Sequence, residues 1–160
     1  MQQLAPTTGL LDQAELDAVT ATVMDNNLGM DRGLAGQIVV EALAFVATAA
    51  RNPGAPIAPS RVVDEGWHAL ILHTALYARL CRSLGRFVDH YPERPDQTRQ
   101  GQDVITRTVA LIEATTGRTP DPMLWTLPGH ADVPVAAKCG HSPQCGPIEP
   151  RPGIAVSAFV

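Results

Sequence analysis

Asp64 and His68 stand four residues apart in the stretch Val62–Leu84, VVDEGWHALILHTALYARLCRSL. On a helix that spacing puts a carboxylate and an imidazole one turn apart on one face, where both heads can reach a single metal ion. Zn²⁺ accepts such nitrogen and oxygen ligands, and so does non-haem Fe²⁺. The same pair can instead be a hydrogen-bonded Asp–His unit whose carboxylate orients the ring. His73 stands apart: at ~100° per residue it lies roughly 140° around the helix from His68. To take part it needs a second site, a distorted turn, or a hydrogen-bonding partner on the other flank. Tyr77 follows His73 at i+4. His90, in GRFVDHYPE, comes after a short turn. The returning chain can set it beside Asp64 and His68, set it near His73, or leave it on the surface.

A second cluster lies in the tail, where Cys139-Gly-His141-Ser-Pro-Gln-Cys145 joins two thiols and an imidazole in a Gly/Pro loop. Such a loop can wrap zinc, but a closed structural site needs a fourth ligand, supplied by His130, water or the helical body. A reversible Cys139–Cys145 disulfide and ordinary free thiols are the alternatives. Cys81 falls on the apolar stripe of the long helix and is expected to be core.

Three familiar chemistries are excluded by pattern. Glu65 precedes His68, but the next histidine is His73, so the His-Glu-x-x-His arrangement of zinc proteases is absent. No Cys-x-x-Cys-His attaches a haem covalently, and no glycine-rich phosphate loop follows a strand.

The elements that must position these residues are helical. Apolar Leu16, Val19 and Val23 predict a helix over Leu10–Asn27, with Asp12, Glu15 and Asp17 toward its positive end. A second helix is expected over Asp31–Arg51, apolar nearly all round and therefore central to its domain. Its Glu41 either sits at the core edge, facing solvent or paired with an arginine, or aims a carboxylate at the histidine helix. The Pro-rich Asn52–Pro59 ends that helix, Ser60 is placed to cap the next, and Gly85 to stop it. Projected as one helix, 62–84 buries Val63, Trp67, Leu70, Thr74, Tyr77 and Cys81 on one stripe. A further helix is predicted from Asp96 or Gln97 to Thr116, then a short turn around Met123, Leu124 and Trp125. From Pro128 onward only Ile154–Val160 reads as a strand that could dock. The expectation is all-α: a compact bundle of four to five helices around a buried central helix, residues 1–127, with an irregular Pro/Gly-rich tail, 128–160, packed on it.

Composition narrows the function. The 160 residues are 45% hydrophobic and 18% charged, enough to bury a real core. The net charge is −4, Lys138 is the only lysine, and no basic run exists, which argues against a nucleic-acid partner. No signal peptide is visible. The apolar stretch Ile38–Ala50, interrupted by Glu41, is short for a bilayer span. A cytoplasmic protein without a membrane partner is expected, and the 3 cysteines do not suggest a secreted disulfide scaffold.

The pattern Asp64-x-x-Trp67-His68-x-x-Ile71-Leu72-His73-Thr74-x-x-Tyr77, then Gly85-Arg86-Phe87-x-x-His90-x-Pro92, resembles bacterial relatives of the plant glycine-rich-domain-containing family. Leu70 stands where some relatives carry another histidine, and the long glycine-rich tail is absent. The resemblance implies a polar site comprising Asp64, His68, His73 and His90 rather than a named reaction.

Two expectations of function follow. The first is a metal-binding helical protein, a candidate Zn- or non-haem-Fe-dependent enzyme acting on a small molecule or peptide. Its ligands would be Asp64, His68 and His90, with Cys139, His141 and Cys145 in the tail, and His73 and Tyr77 would assist catalysis. The second is an interaction module without chemistry, in which Trp67, His73 and Tyr77 are packing residues and the tail binds a partner or closes a homodimer. A third, narrower reading has haem or a small molecule between helices, with His73 as axial ligand.

Overall fold

Asp12 begins the first helix by accepting the Glu15 amide at 2.8 Å, while the Glu15 carboxylate accepts the Asp12 amide at 3.0 Å. This reciprocal capping box starts α1, Gln13–Asn26, three residues inside the expected start at Leu10. Asp31 caps α2, Arg32–Arg51, through the amides of Gly33 and Leu34. The computed structural model describes residues 9–93 and 102–126, with Val133 and the pair Gly140–His141.

The chain is an all-α protein. α2 is its centre and packs against α1, α3 and α5. Its Ala35, Ile38, Val39, Ala42, Phe45 and Val46 have no solvent exposure, as expected of a helix apolar all round. At 20 residues and a mean hydropathy of 1.7, α2 has the length and composition of a membrane span, which the interrupted apolar stretch did not suggest. In the fold, 67% of that window is buried against the other helices.

Ser60 opens α3, Arg61–Leu72, by accepting the Val63 amide at 3.1 Å and donating its hydroxyl to the Leu124 carbonyl. The expected single helix over 62–84 is corrected here. His73 leaves helical geometry at φ −84° and ψ 66°, and a separate α4 runs Thr74–Ser83. No Gly or Pro marks the joint. The gain is in packing: restarting the helix turns Leu76, Tyr77, Leu80 and Cys81 into the core and leaves Thr74, expected on the buried stripe, exposed. Tertiary burial outweighs helix continuity at this point. α4 ends in a Schellman motif around Gly85, φ 80°, with the Gly85 amide on the Arg82 carbonyl and the Arg86 amide on Cys81.

α5, Gln102–Thr116, closes the bundle through the Pro-rich loop before α3. Thr108 accepts the Ala58 amide at 3.1 Å, and Arg107 reaches the Pro56 carbonyl at 3.1 Å. The expected turn after α5 forms, and it buries Leu124 and Trp125 while leaving Met123 exposed. Two short strands complete the description. β1, Pro92–Glu93, pairs antiparallel with β2, Gly140–His141, so the tail contributes a strand earlier than the one expected at Ile154–Val160. Residues 154–160 and the thiols of Cys139 and Cys145 lie outside the described residues.

α3 meets α2 closely at Gly66. A Cβ there would sit 2.7 Å from the Ile38 carbonyl oxygen and 2.9 Å from Ala42 Cβ. The absence of a side chain at 66 lets the helix carrying Asp64 and His68 seat against the central one.

Candidate metal centre

Asp64 lies in the first turn of α3 and is completely buried. A carboxylate removed from water needs charged or hydrogen-bonding partners. His68, one turn on, brings its Nε2 to 3.4 Å from Asp64 Oδ2. His90 arrives from the loop after α4 and brings its Nε2 to 3.3 Å from Asp64 Oδ1. The two imidazole rings lie 4.6 Å apart between centroids. Of the alternatives open for His90, the fold realises the one beside Asp64 and His68.

These separations carry chemical information. Charge-assisted hydrogen bonds close to about 2.7–2.9 Å, shorter than either contact. Ligand atoms about 2.0–2.1 Å from a tetrahedral zinc are about 3.3–3.4 Å from one another, so whichever Asp64 oxygen ligates, one of the two contacts has the length of that edge. One nitrogen from each histidine and one oxygen of Asp64 all fall within 4.8 Å of one another. Among the described residues, Asp64, His68 and His90 are the group of His, Cys, Asp and Glu with that property. Two imidazoles and one carboxylate also form the donor set that suits non-haem Fe²⁺. The residues therefore fit a divalent cation.

The group is open on one side. The Asp64 side chain is 0% exposed and that of His90 10%, whereas His68 is 28% exposed. Trp67 forms a wall, its ring 4.6 Å from the His90 imidazole and 5.1 Å from Phe45 of α2. Trp67 was expected only as core; its contact with an imidazole that comes from a loop carries no sequence signal. Next to Asp64, the buried Glu65 accepts a hydrogen bond from Asn27 at 2.9 Å, tying α3 to the end of α1.

His73 is not part of this group. Its Nε2 sits 2.8 Å from Thr22 Oγ1 on α1, and the Thr22 hydroxyl also donates to the Ala18 carbonyl. With that hydrogen already committed, Thr22 accepts from an Nε2–H tautomer of His73. Of the three options read for His73, the chain uses a hydrogen-bonding partner on the other flank, at a helix joint.

Tyr77 is also engaged elsewhere. Its hydroxyl accepts the Trp67 Nε1–H at 2.9 Å and donates to the Val88 carbonyl at 2.6 Å. Burial pushes the phenol well above its ordinary range. Cys81 is core as expected, and burial raises its thiol too.

Glu41 answers to neither simple expectation. It is paired with an arginine but lies fully inside the core, accepting from Arg118 Nη2 at 2.5 Å, the Asp121 amide at 3.0 Å and Trp125 Nε1 at 2.8 Å. Its partners come from the segment after α5, not from the histidine helix. In the tail, β2 gives the backbone pairing of His141 and nothing of its side chain.

A family model, UCP032817-like, matches residues 16–120. The chain belongs to this family. The matched span of the UCP032817-like family contains Asp64, His68 and His90, as well as His73 and Tyr77, and stops before the Cys139–Cys145 loop. No curated protein and no solved structure matches the chain.

Proposed function

We propose that this UCP032817-like protein binds a divalent cation, Zn²⁺ or Fe²⁺, through Asp64, His68 and His90. The observation that carries the reading is that one nitrogen from each of two imidazoles and one oxygen of a buried carboxylate lie within 4.8 Å of one another, close enough for one ion to reach all three. A cation held by three protein groups keeps positions for water and substrate, which suits metal-assisted hydrolysis or ferrous oxygen chemistry on a small molecule or peptide. In such a site Asp64 supplies the negative charge and fixes the orientation of both rings. Trp67 and Phe45 exclude water from the inner side, and the more exposed His68 marks the direction of approach.

The interaction-module reading required His68, His73 and His90 to point into separate environments. The convergence of His68 and His90 favours the metal reading, and His73 alone behaves as a structural contact. Service as an axial haem ligand would cost His73 its Thr22 bond. We further infer a cytoplasmic setting without nucleic-acid or membrane partners, supported by the net charge of −4 and the single lysine.

The test is calorimetric titration of Zn²⁺, and of Fe²⁺ under anaerobic conditions, into untagged protein, paired with elemental analysis. One ion per chain is expected, with affinity lost in Asp64→Ala and weakened but still measurable in His68→Ala and in His90→Ala. Wild-type protein that takes up neither ion, or triple loss of ligands without effect, overturns the reading.

A further inference from the structure

His90 is the one member of the group that helix periodicity does not place. Val88, Asp89 and His90 follow α4 without regular structure. Besides its contacts with Asp64 and His68, His90 meets the Trp67 ring, centred 4.6 Å from its imidazole, and the carbonyl of Val88, two residues before it, accepts a hydrogen bond. Both lead to one atom. The Tyr77 hydroxyl accepts from Trp67 Nε1 at 2.9 Å and donates to Val88 at 2.6 Å.

We propose that Tyr77 is the positioning residue of the metal centre, its hydroxyl joining Trp67 on α3 to Val88 in the loop and so setting His90 against Asp64. The inference rests on the reading of Asp64, His68 and His90 as ligands. The expectation that Tyr77 takes part in the chemistry is thereby recast: it acts through His90 and not on substrate. Its hydroxyl has one hydrogen, spent on Val88, and the burial that disfavours the phenolate keeps that hydrogen in place. The ring is held independently of the hydroxyl, since Phe87 meets it edge-on with centroids 5.5 Å apart. Tyr77→Phe therefore removes the junction and leaves the packing.

The experiment titrates Zn²⁺ into the full chain. Residues that orient metal ligands cost about 10–100-fold in affinity when mutated, and Tyr77→Phe is expected in that range. Ile112→Val, a core change on α5 that leaves the junction intact, serves as the stability control and should bind zinc as wild type does. A double-mutant cycle separates positioning from general loosening. Tyr77→Phe should lose its effect in a His90→Ala background, where there is no ring left to position, and keep it in a His68→Ala background. Trp67→Phe, which deletes the indole donor and keeps an aromatic wall, carries the same test if Tyr77→Phe does not fold; a several-fold loss is expected. Wild-type affinity in Tyr77→Phe, or in Trp67→Phe where that variant stands in, overturns the inference while leaving the metal site standing. So does an equal loss in both histidine backgrounds. Absence of zinc and iron binding by the wild-type chain removes the metal site and this inference together.

Discussion

Glu41 on α2 and Asp64 on α3 are both fully buried acids on neighbouring helices, and Phe45 packs between their aromatic neighbours, Trp125 and Trp67. Their surroundings differ in kind. Glu41 receives a guanidinium, a backbone amide and an indole N–H, each at 2.5–3.0 Å, so its charge and both its oxygens are satisfied at contact distance. Asp64 faces an imidazole nitrogen on each oxygen, at 3.3 and 3.4 Å. Imidazoles can be neutral ligands; a guanidinium cannot be a ligand at all. Burial of an acid therefore marks no function by itself. The type of its partners, a guanidinium for Glu41 and two imidazoles for Asp64, is what separates the two.

This contrast makes Glu41 the costlier acid to remove from the metal-free protein. Glu41→Leu leaves the half-buried Arg118 beside an apolar side chain, and its buried Nη1 already lacks a partner among the described residues. Breaking a buried ion pair from one side costs about 3–5 kcal/mol, and urea denaturation should show a loss of that order. Asp64→Asn keeps the shape and is expected to change metal-free stability by about 1 kcal/mol or less, because sites poised for function are not optimised for stability. Equal losses in the two variants would erase the distinction between the two carboxylates.

The next test falls between the two acids, where α2 and α3 touch. Gly66→Ala gains helix propensity but drives a methyl group onto the Ile38 carbonyl oxygen and Ala42. Overpacking of this sort costs about 1–3 kcal/mol, more than the propensity gain of about 1 kcal/mol. The urea midpoint should fall, and zinc affinity should fall with it, because Asp64 and His68 flank the displaced residue. A variant as stable as wild type would mean that the helices separate without strain.

What the sequence makes legible follows the range of the interactions. The cap at Ser60 and the stop at Gly85 are local, set by residues within a turn or so of each boundary, and each is found where expected, whereas Asp12 and Asp31, expected inside their helices, cap them instead. The Asp64–His68 pair is legible for the same reason. The joint at His73 is not, because it comes from how α4 packs and no helix breaker announces it. The partners of Glu41 stand 77 to 84 residues away in the chain, and the setting of His90 depends on a tyrosine bond to a loop carbonyl. Such placements belong to the assembled core.

Alkaline titration tests how firmly the Trp67–Tyr77 side of the site is built. The Tyr77 phenol is raised in the folded protein, whereas in the unfolded chain it ionises near about 10. A raised group contributes stability that is present below the unfolded value and lost as pH rises above it. Above about pH 10 the unfolded state sheds a proton that the folded state keeps, so stability should fall by about 1.4 kcal/mol per pH unit from this group. Tyr77→Phe should flatten that part of the curve in chemical denaturation as a function of pH. An unchanged slope would mean that the phenol ionises within the fold.

The smallest expected effect concerns the histidine that helix geometry set apart. His73 and Thr22 join the α3–α4 break to α1 through one hydrogen bond at 2.8 Å, worth about 0.5–1.5 kcal/mol net. His73→Ala should cost about that much, and Thr22→Val should cost little more once His73 is gone, because contacting residues are non-additive. Zinc affinity should be unchanged in both, in contrast to His68→Ala one turn earlier. A loss of zinc binding in His73→Ala comparable to that in His68→Ala would return His73 to the site and show that the joint between the helices moves when metal binds.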